Sequence, residues 1–349
     1  MCNGTIMDKL ISFSLPLMLS GILQLMFNAV DIVVVGRFSG SQSLAAVGST
    51  TALINVFTNL FIGISLGANV LAARFFAAGK SKEMSDTVHT SVTLALISGV
   101  VMAFVGLIFS RGALELMGTP ADVIGQSALY MKIYFLGMPF FMLYNYGAAI
   151  LRAVGDTKRP LIFLVVSGVV NAILNMILVI IFHLDVAGVA IATVISQMIS
   201  CILVIRCLCN SQTSYQLYFS KLRINKDYLK QIFQVGIPAG IQSTVINFSN
   251  ALLQSSVNSF GSIAMAGYTA ANNIFGFLYV AVNSVTQACM SFTSQNYGVR
   301  KFKRMDKVLI DCIIISMVTA LTLGCSAYFF GPELLKIYTK DTDVIRCGM

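Results

Sequence analysis

The residue best placed to do chemistry is Asp31, a carboxylate inside the hydrophobic run from Ile11 to Arg37, ISFSLPLMLSGILQLMFNAVDIVVVGR. A run of that length crosses a bilayer as a helix. A charge at mid-membrane costs roughly 2.5 kcal/mol or more, so its presence points to an ion or substrate path; the alternative is a carboxylate reaching interfacial water at the helix end. Gln24, Asn28 and Asp31 stand at i, i+4 and i+7, which a period of 3.6 residues stacks into one polar stripe. Of the 14 acidic residues, Asp31 alone falls well inside a predicted span. Asp311 lies near a helix end with Lys307 four residues before it, so a satisfied cap or a helical ion pair is expected. Lys132, near the end of another span, either snorkels to the interface or pairs with Asp31.

Other constellations are missing from the pattern. The two histidines, His89 and His183, are expected in separate loops, with no nucleophile or metal set around them, so an enzyme is not indicated. The eight cysteines are scattered without a paired CxxC; Cys207 and Cys209 form a CxC with no histidine near, so no metal centre and no cofactor are expected. The net charge of +9 resides in short loops between hydrophobic segments, where it signals topology and not a nucleic-acid partner.

The elements that must position Asp31 are membrane helices. The chain has 349 residues, 57% hydrophobic and 11% charged, where soluble domains run near 25% charged. Its mean hydropathy is +0.83. Segments of about 20 apolar residues recur along the whole length, unlike the short alternating strands of a membrane barrel. The expected fold is an all-α polytopic bundle with spans near 11–35, 44–73, 88–110, 127–151, 160–182, 187–209, 230–258, 264–294 and 308–330, the first being an uncleaved helix. With the N-terminus in the cytoplasm of a cell-membrane protein, seventeen of the 23 Lys and Arg residues fall inside; Arg37, Arg111, Lys336 and Lys340 fall outside.

The one long polar connection, NSQTSYQLYFSKLRINKD from Asn210 to Asp227, divides the chain into a six-helix lobe (1–210), a linker (211–227) and a second lobe (228–349) holding three helices. A shift of 221 residues lays FIGISLGANVLAARFFAAGK (61–80) over VNSVTQACMSFTSQNYGVRK (282–301) and Asp122-Val123-Ile124 over Asp343-Val344-Ile345; Pro16 meets Pro238 one residue off that register. Six helices precede the split, so the repeat is parallel, an arrangement that sets a substrate site between two lobes. The repeat predicts a C-terminally truncated copy of a protein of about twelve spans.

The loop AILRAVGDTKRP (149–160) combines a Gly155-Asp156 turn, two cations and a helix-opening Pro160. With LRAVGDTKRP, FNAVDIVVVGR (27–37), AAVGST (45–50) and GVAIATVISQ (188–197), the chain resembles the multidrug and toxic compound extrusion family over essentially its whole length. The resemblance implies a secondary active multidrug efflux antiporter that alternates between inward- and outward-facing states, exporting organic cations in exchange for H+ or Na+, as a monomer whose partners are the bilayer and a small-molecule substrate. It also implies an N-lobe coupling site in which Asp31 and Gln24 are joined by Asn171, Asn175 and Thr193. Where the family branch with its essential carboxylates in the N-terminal lobe carries a second aspartate, this chain has Asn175, so the set is one carboxylate among amides, a donor set that also suits Na+. The seventh helix has no acid; its stripe of Ser243, Asn247, Asn250, Gln254 and Asn258 suits a cavity lining. Gly63 and Gly67, spaced as GxxxG, suit close helix packing, and Pro139 implies a kink. The alternatives are a flippase for lipid-linked sugars, which would want more buried cations than Lys132 and Arg37, or a fragment inactive in transport.

Overall fold

In a bilayer the backbone has no water to bond, so a chain this apolar must satisfy its N–H and C=O groups within helices. The computed structural model describes residues 1–258, 260, 262–336 and 341–349, and among these it contains helices and turns but no strand. The helices are α1 (Met7–Phe38), α2 (Gly40–Ala77), α3 (Ser81–Leu116), α4 (Ile124–Leu136), α5 (Met138–Ala153) and α6 (Lys158–Asn175), which runs on as a π-helical segment (Met176–Ile181). After these come α7 (Asp185–Cys209), a 3-10 turn (Phe219–Lys221), α8 (Lys226–Asn258), α9 (Ser262–Gly298), α10 (Phe302–Phe329), and the short α11 (Gly331–Lys336) and α12 (Thr342–Gly348).

Seven of the described helices are long and apolar enough to span a membrane, and an eighth span arises if α4 and α5 count as one helix bent by 48°. The bend lies at Gly137 with Pro139 just beyond, where a ring without an N–H breaks the hydrogen-bond ladder. A side chain at Gly99 of α3 would strike the Pro139 backbone, so α3 seats the kink closely. The seventh predicted span (230–258) is helical as α8, but its Gln, Ser and Asn residues hold it outside the apolar class.

The first six spans share one core, in which Phe135, Met138, Met142, Tyr146, Leu151 and Leu208 are fully buried. A second core joins the start of the chain to its far half: Ile6, Leu10, Phe13 and Leu17 pack with Val285, Phe292 and Val308. The halves come closest where Gly63 and Gly67 of α2 lie against Gly236 and Gly240 of α8. A side chain at Gly63 would meet the backbone of Gly240, and one at Gly67 the carbonyl of Ile232.

Polar contacts seal the bundle end that carries the N-terminus. Asn69 donates to the carbonyl of Ala149 at 2.8 Å and accepts from Ser291 at 3.1 Å; Gln295 donates to the carbonyl of Ala153 at 2.6 Å. The Arg74 guanidinium lies 5.0 Å over the Tyr297 ring. Toward the opposite end, no described α8 residue after Gly240 is buried. The halves are thus joined at one end, and α8 is uncovered toward the other.

His89 departs from expectation. It lies in α3, 2% exposed, and not in a loop. Its Nδ1 sits 2.6 Å from the Ser85 carbonyl, which only accepts, so Nδ1 carries the proton and Nε2 accepts from the Tyr218 amide at 3.1 Å. With the 2.6 Å Arg223–Asp86 ion pair and the Asn225 amide on Thr90 Oγ1, His89 docks the 210–225 connection onto α3.

Candidate functional site

The site begins with a close approach of α1 to α6. A side chain at Gly168 would occupy the space of the Phe27 ring, so this glycine lets the aromatic lie on α6. One turn beyond Phe27 comes Asp31; one and two turns beyond Gly168 come Asn171 and Asn175. The consequence is a direct contact: Asn175 Nδ2 donates to Asp31 Oδ1, and also to Asn171 Oδ1 at 3.2 Å. Both asparagines are buried and Asp31 is half-buried. Asn175 Oδ1, buried beside the carboxylate, has no hydrogen-bond partner among the described residues. The π-helical segment starts at the next residue, a widened turn of a kind often found at functional sites.

Thr193, half-buried on α7, donates its hydroxyl to the Val189 carbonyl at 2.9 Å. Its proton is therefore spent within its own helix, while the oxygen keeps lone pairs; α7 itself packs against α6 and α1. Gln24 and Asn28 are exposed, so of the α1 stripe only Asp31 is engaged with α6. The α8 stripe stands apart. Ser243 and Asn247 bond to backbone carbonyls of their own helix at 3.1 and 2.8 Å, Asn250 is exposed, and the side chains of Gln254 and Asn258 lie outside the described ones.

Three aromatic and amide groups complete the surroundings of Asp31 without having been singled out in the sequence. Tyr130 and Tyr134 of α4, with ring centroids 6.1 Å apart, stand within electrostatic range of Asp31, and Gln197 of α7 lies beside Tyr134. Gln197 follows Thr193 by four residues, so the helical face of Thr193 already contained it. Lys132 is exposed and makes no ion pair with Asp31 within 4.0 Å, as expected of a snorkelling side chain. The expected Lys307–Asp311 ion pair is likewise absent among the described residues.

Comparison with known proteins follows the same layout. The MatE family model matches two segments of the chain, residues 16–177 and 238–349. The chain belongs to the MatE family. Membership makes it a multi-pass membrane transporter by kinship and not an enzyme. The two matches to one MatE model open on Pro16 and Pro238, a shift of 222 residues and within one of the shift read from the sequence.

Among its MatE relatives, the probable multidrug resistance protein YoeA of Bacillus subtilis is 31% identical over 342 residues, covering 95% of this chain and 73% of the relative. The multidrug export protein MepA of Staphylococcus aureus (strain MSSA476) is 23% identical, covering 99% and 76%. A structure described as the outward-facing conformation of a multidrug resistance MATE family transporter superposes with a TM-score of 0.91 at 23% identity, covering 99% of this chain and 77% of that one. A MATE structure in the bent conformation gives 0.90 at 23% identity, covering 98% and 77%. At such identity the structural likeness speaks for the fold, which agrees with the all-α bundle expected from composition.

Proposed function

We propose that this protein is a secondary active efflux antiporter that exports organic, cationic compounds by alternating access, with H+ or Na+ moving the other way through an N-lobe site centred on Asp31. The observation that carries this reading is the hydrogen bond from Asn175 to the Asp31 carboxylate inside a membrane bundle. Relatives named as multidrug resistance and multidrug export proteins support the substrate class.

In this reading residues 1–210 form the first lobe, 211–227 the linker and 228–349 the helices of the second lobe. The basic, sealed end faces the cytoplasm of a cell-membrane protein, and a single chain is the transporting unit. A carboxylate that exchanges its charge with a proton or Na+ changes what α1 and α6 demand of each other. Neutralised, Asp31 loses most of its pull on Asn175; charged, it holds the amide by a charge-assisted bond. Asn171, Asn175 and Thr193 add amide and hydroxyl oxygens of the kind a hard cation takes. Gln24, Asn28, Ser243, Asn247 and Asn250 add uncharged polar groups on α1 and α8 that a substrate could use, and Gln254 continues the α8 line in sequence. Substrate and coupling ion are linked because each favours a different arrangement of α1.

The test is transport in inside-out vesicles under an imposed pH gradient or an imposed Na+ gradient. Asp31→Asn should abolish gradient-dependent uptake of an organic cation, and the gradient that drives the wild type identifies the ion. Undiminished uptake by Asp31→Asn under both gradients rejects the assignment.

A further inference from the structure

The first turns of α8 carry a pattern that efflux does not use. Lys226 and Lys230 lie four residues apart and Phe233 and Ile237 continue the same helical face, so two cations are followed by an apolar strip. A cavity of about 510 Å³ runs along this face, lined by both lysines with Leu229, Phe233, Ile237 and Pro238. Both lysines are exposed, and neither makes an ion pair within 4.0 Å among the described residues. Asp227 is the opposing charge: it lines a neighbouring cavity of about 540 Å³ that shares Lys230, leaving the first cavity cationic.

At 1.5 Å per residue, Phe233 and Ile237 lie roughly 4 and 10 Å deeper than Lys230, the depth range of upper acyl chain below a headgroup. The internal repeat supplies a control. The register that aligns Pro16 with Pro238 places Ile11 and Leu15 of α1 at Phe233 and Ile237, and those α1 residues are exposed, at 49% and 48%, although α1 packs against α2, α6 and α9. Ile237 and both lysines are likewise exposed on α8, and Phe233, half-buried against the first core, forms the inner edge of this outward face. In the same register α1 has Gly4 and Asp8 where α8 has Lys226 and Lys230, so the cations belong to one repeat only.

We propose that the face of α8 from Lys226 to Pro238 is a binding site for one acidic phospholipid of the leaflet at the basic end of the bundle. The lysines hold the headgroup phosphate, and Leu229, Phe233, Ile237 and Pro238 lie along an acyl chain. Charge complementarity selects the occupant, since juxtamembrane lysines attract anionic headgroups and basic pockets at this level hold them.

The test is native mass spectrometry of the full chain in detergent, titrated with dioleoyl-phosphatidylglycerol or dioleoyl-phosphatidylcholine. One phosphatidylglycerol should be retained in preference to phosphatidylcholine. Lys226→Gln/Lys230→Gln should weaken its retention by roughly tenfold or more, and Phe233→Ser should weaken it with both lysines intact. Lys158→Gln/Arg159→Gln, which removes two cations from another loop at the same end, should leave retention unchanged. Equal retention of the two lipids, equal loss in the Lys158/Arg159 control, or equal competition by glycerol phosphate without acyl chains overturns the site.

Discussion

Asn175 holds the Asp31 carboxylate through one side-chain N–H, joining two helices across 144 residues of chain. Because the same nitrogen also serves Asn171, its amide is committed to donating, and its oxygen is left without a hydrogen-bond partner among the described residues. Asn175→Leu removes the only side-chain donor to Asp31 shown by the structure. A hydrogen bond to a charged group contributes about 1.5–3 kcal/mol, so coupled transport should fall by roughly ten- to a hundredfold. Asn171→Leu should cost less, since Asn171 only accepts from Asn175. Uptake rates of the two variants in the same vesicles decide the order.

Asn175→Asp tests the single-carboxylate character of the site. Two acids in contact titrate as a coupled pair with two macroscopic steps, whereas one acid among amides gives one. The variant should therefore show a broader, two-step pH dependence of uptake where the wild type shows one step. An unchanged profile would mean that residue 175 does not share the titrating site.

The glycine contact between the halves predicts a stability effect. Gly240→Val places branched carbons where the Leu60 carbonyl and the Leu60 side chain already stand. Overpacking of this kind costs about 1–3 kcal/mol. The purified variant should denature at lower temperature, and cysteines introduced at the sealed end should react faster with a water-soluble thiol reagent. Gly48→Ala, at a position with open space around it, should do neither.

Much of this was legible in the residues. Asp31 stood out because a charge in a spanning segment is costly, and the GxxxG of Gly63 and Gly67 and the kink at Pro139 follow from local stereochemistry alone. The close approach of Asn171 and Asn175 to Asp31 was expected from family resemblance, because no periodicity says which helices will touch. Tyr130 and Tyr134 escaped notice since tyrosines in an apolar helix look like any other large hydrophobic residue until a neighbour gives them a charge to face. His89 was misread for a related reason. Its partner is a backbone amide 129 residues away, and backbone donors carry no sequence pattern.

The seal at the N-terminal end predicts the ease of opening there. Asn69 makes two bonds at once, to Ala149 within its own half and to Ser291 in the other. Asn69→Leu keeps the bulk but leaves a buried carbonyl and a buried hydroxyl unpaired, at about 1–3 kcal/mol each. The closed arrangement should lose stability relative to one open at this end, read as faster thiol labelling of a cysteine placed at Ala73. Ser291→Ala removes only the inter-half bond and should have a smaller effect in the same direction.

The linker offers the last test, because its docking depends on one imidazole. Nδ1 of His89 donates to Ser85, which fixes the tautomer, and Nε2 can then accept from the Tyr218 amide. His89→Ala deletes the acceptor and leaves the part-buried Tyr218 amide without it, whereas Arg223→Gln deletes an ion pair whose arginine is exposed, worth ~0–1 kcal/mol. Hydrogen exchange of the 216–225 amides should therefore rise strongly in His89→Ala and only slightly in Arg223→Gln. His89→Gln restores an acceptor oxygen on a shorter reach and should fall between them. If Arg223→Gln frees the 210–225 connection as much as His89→Ala does, then the ion pair and not the buried imidazole holds it in place.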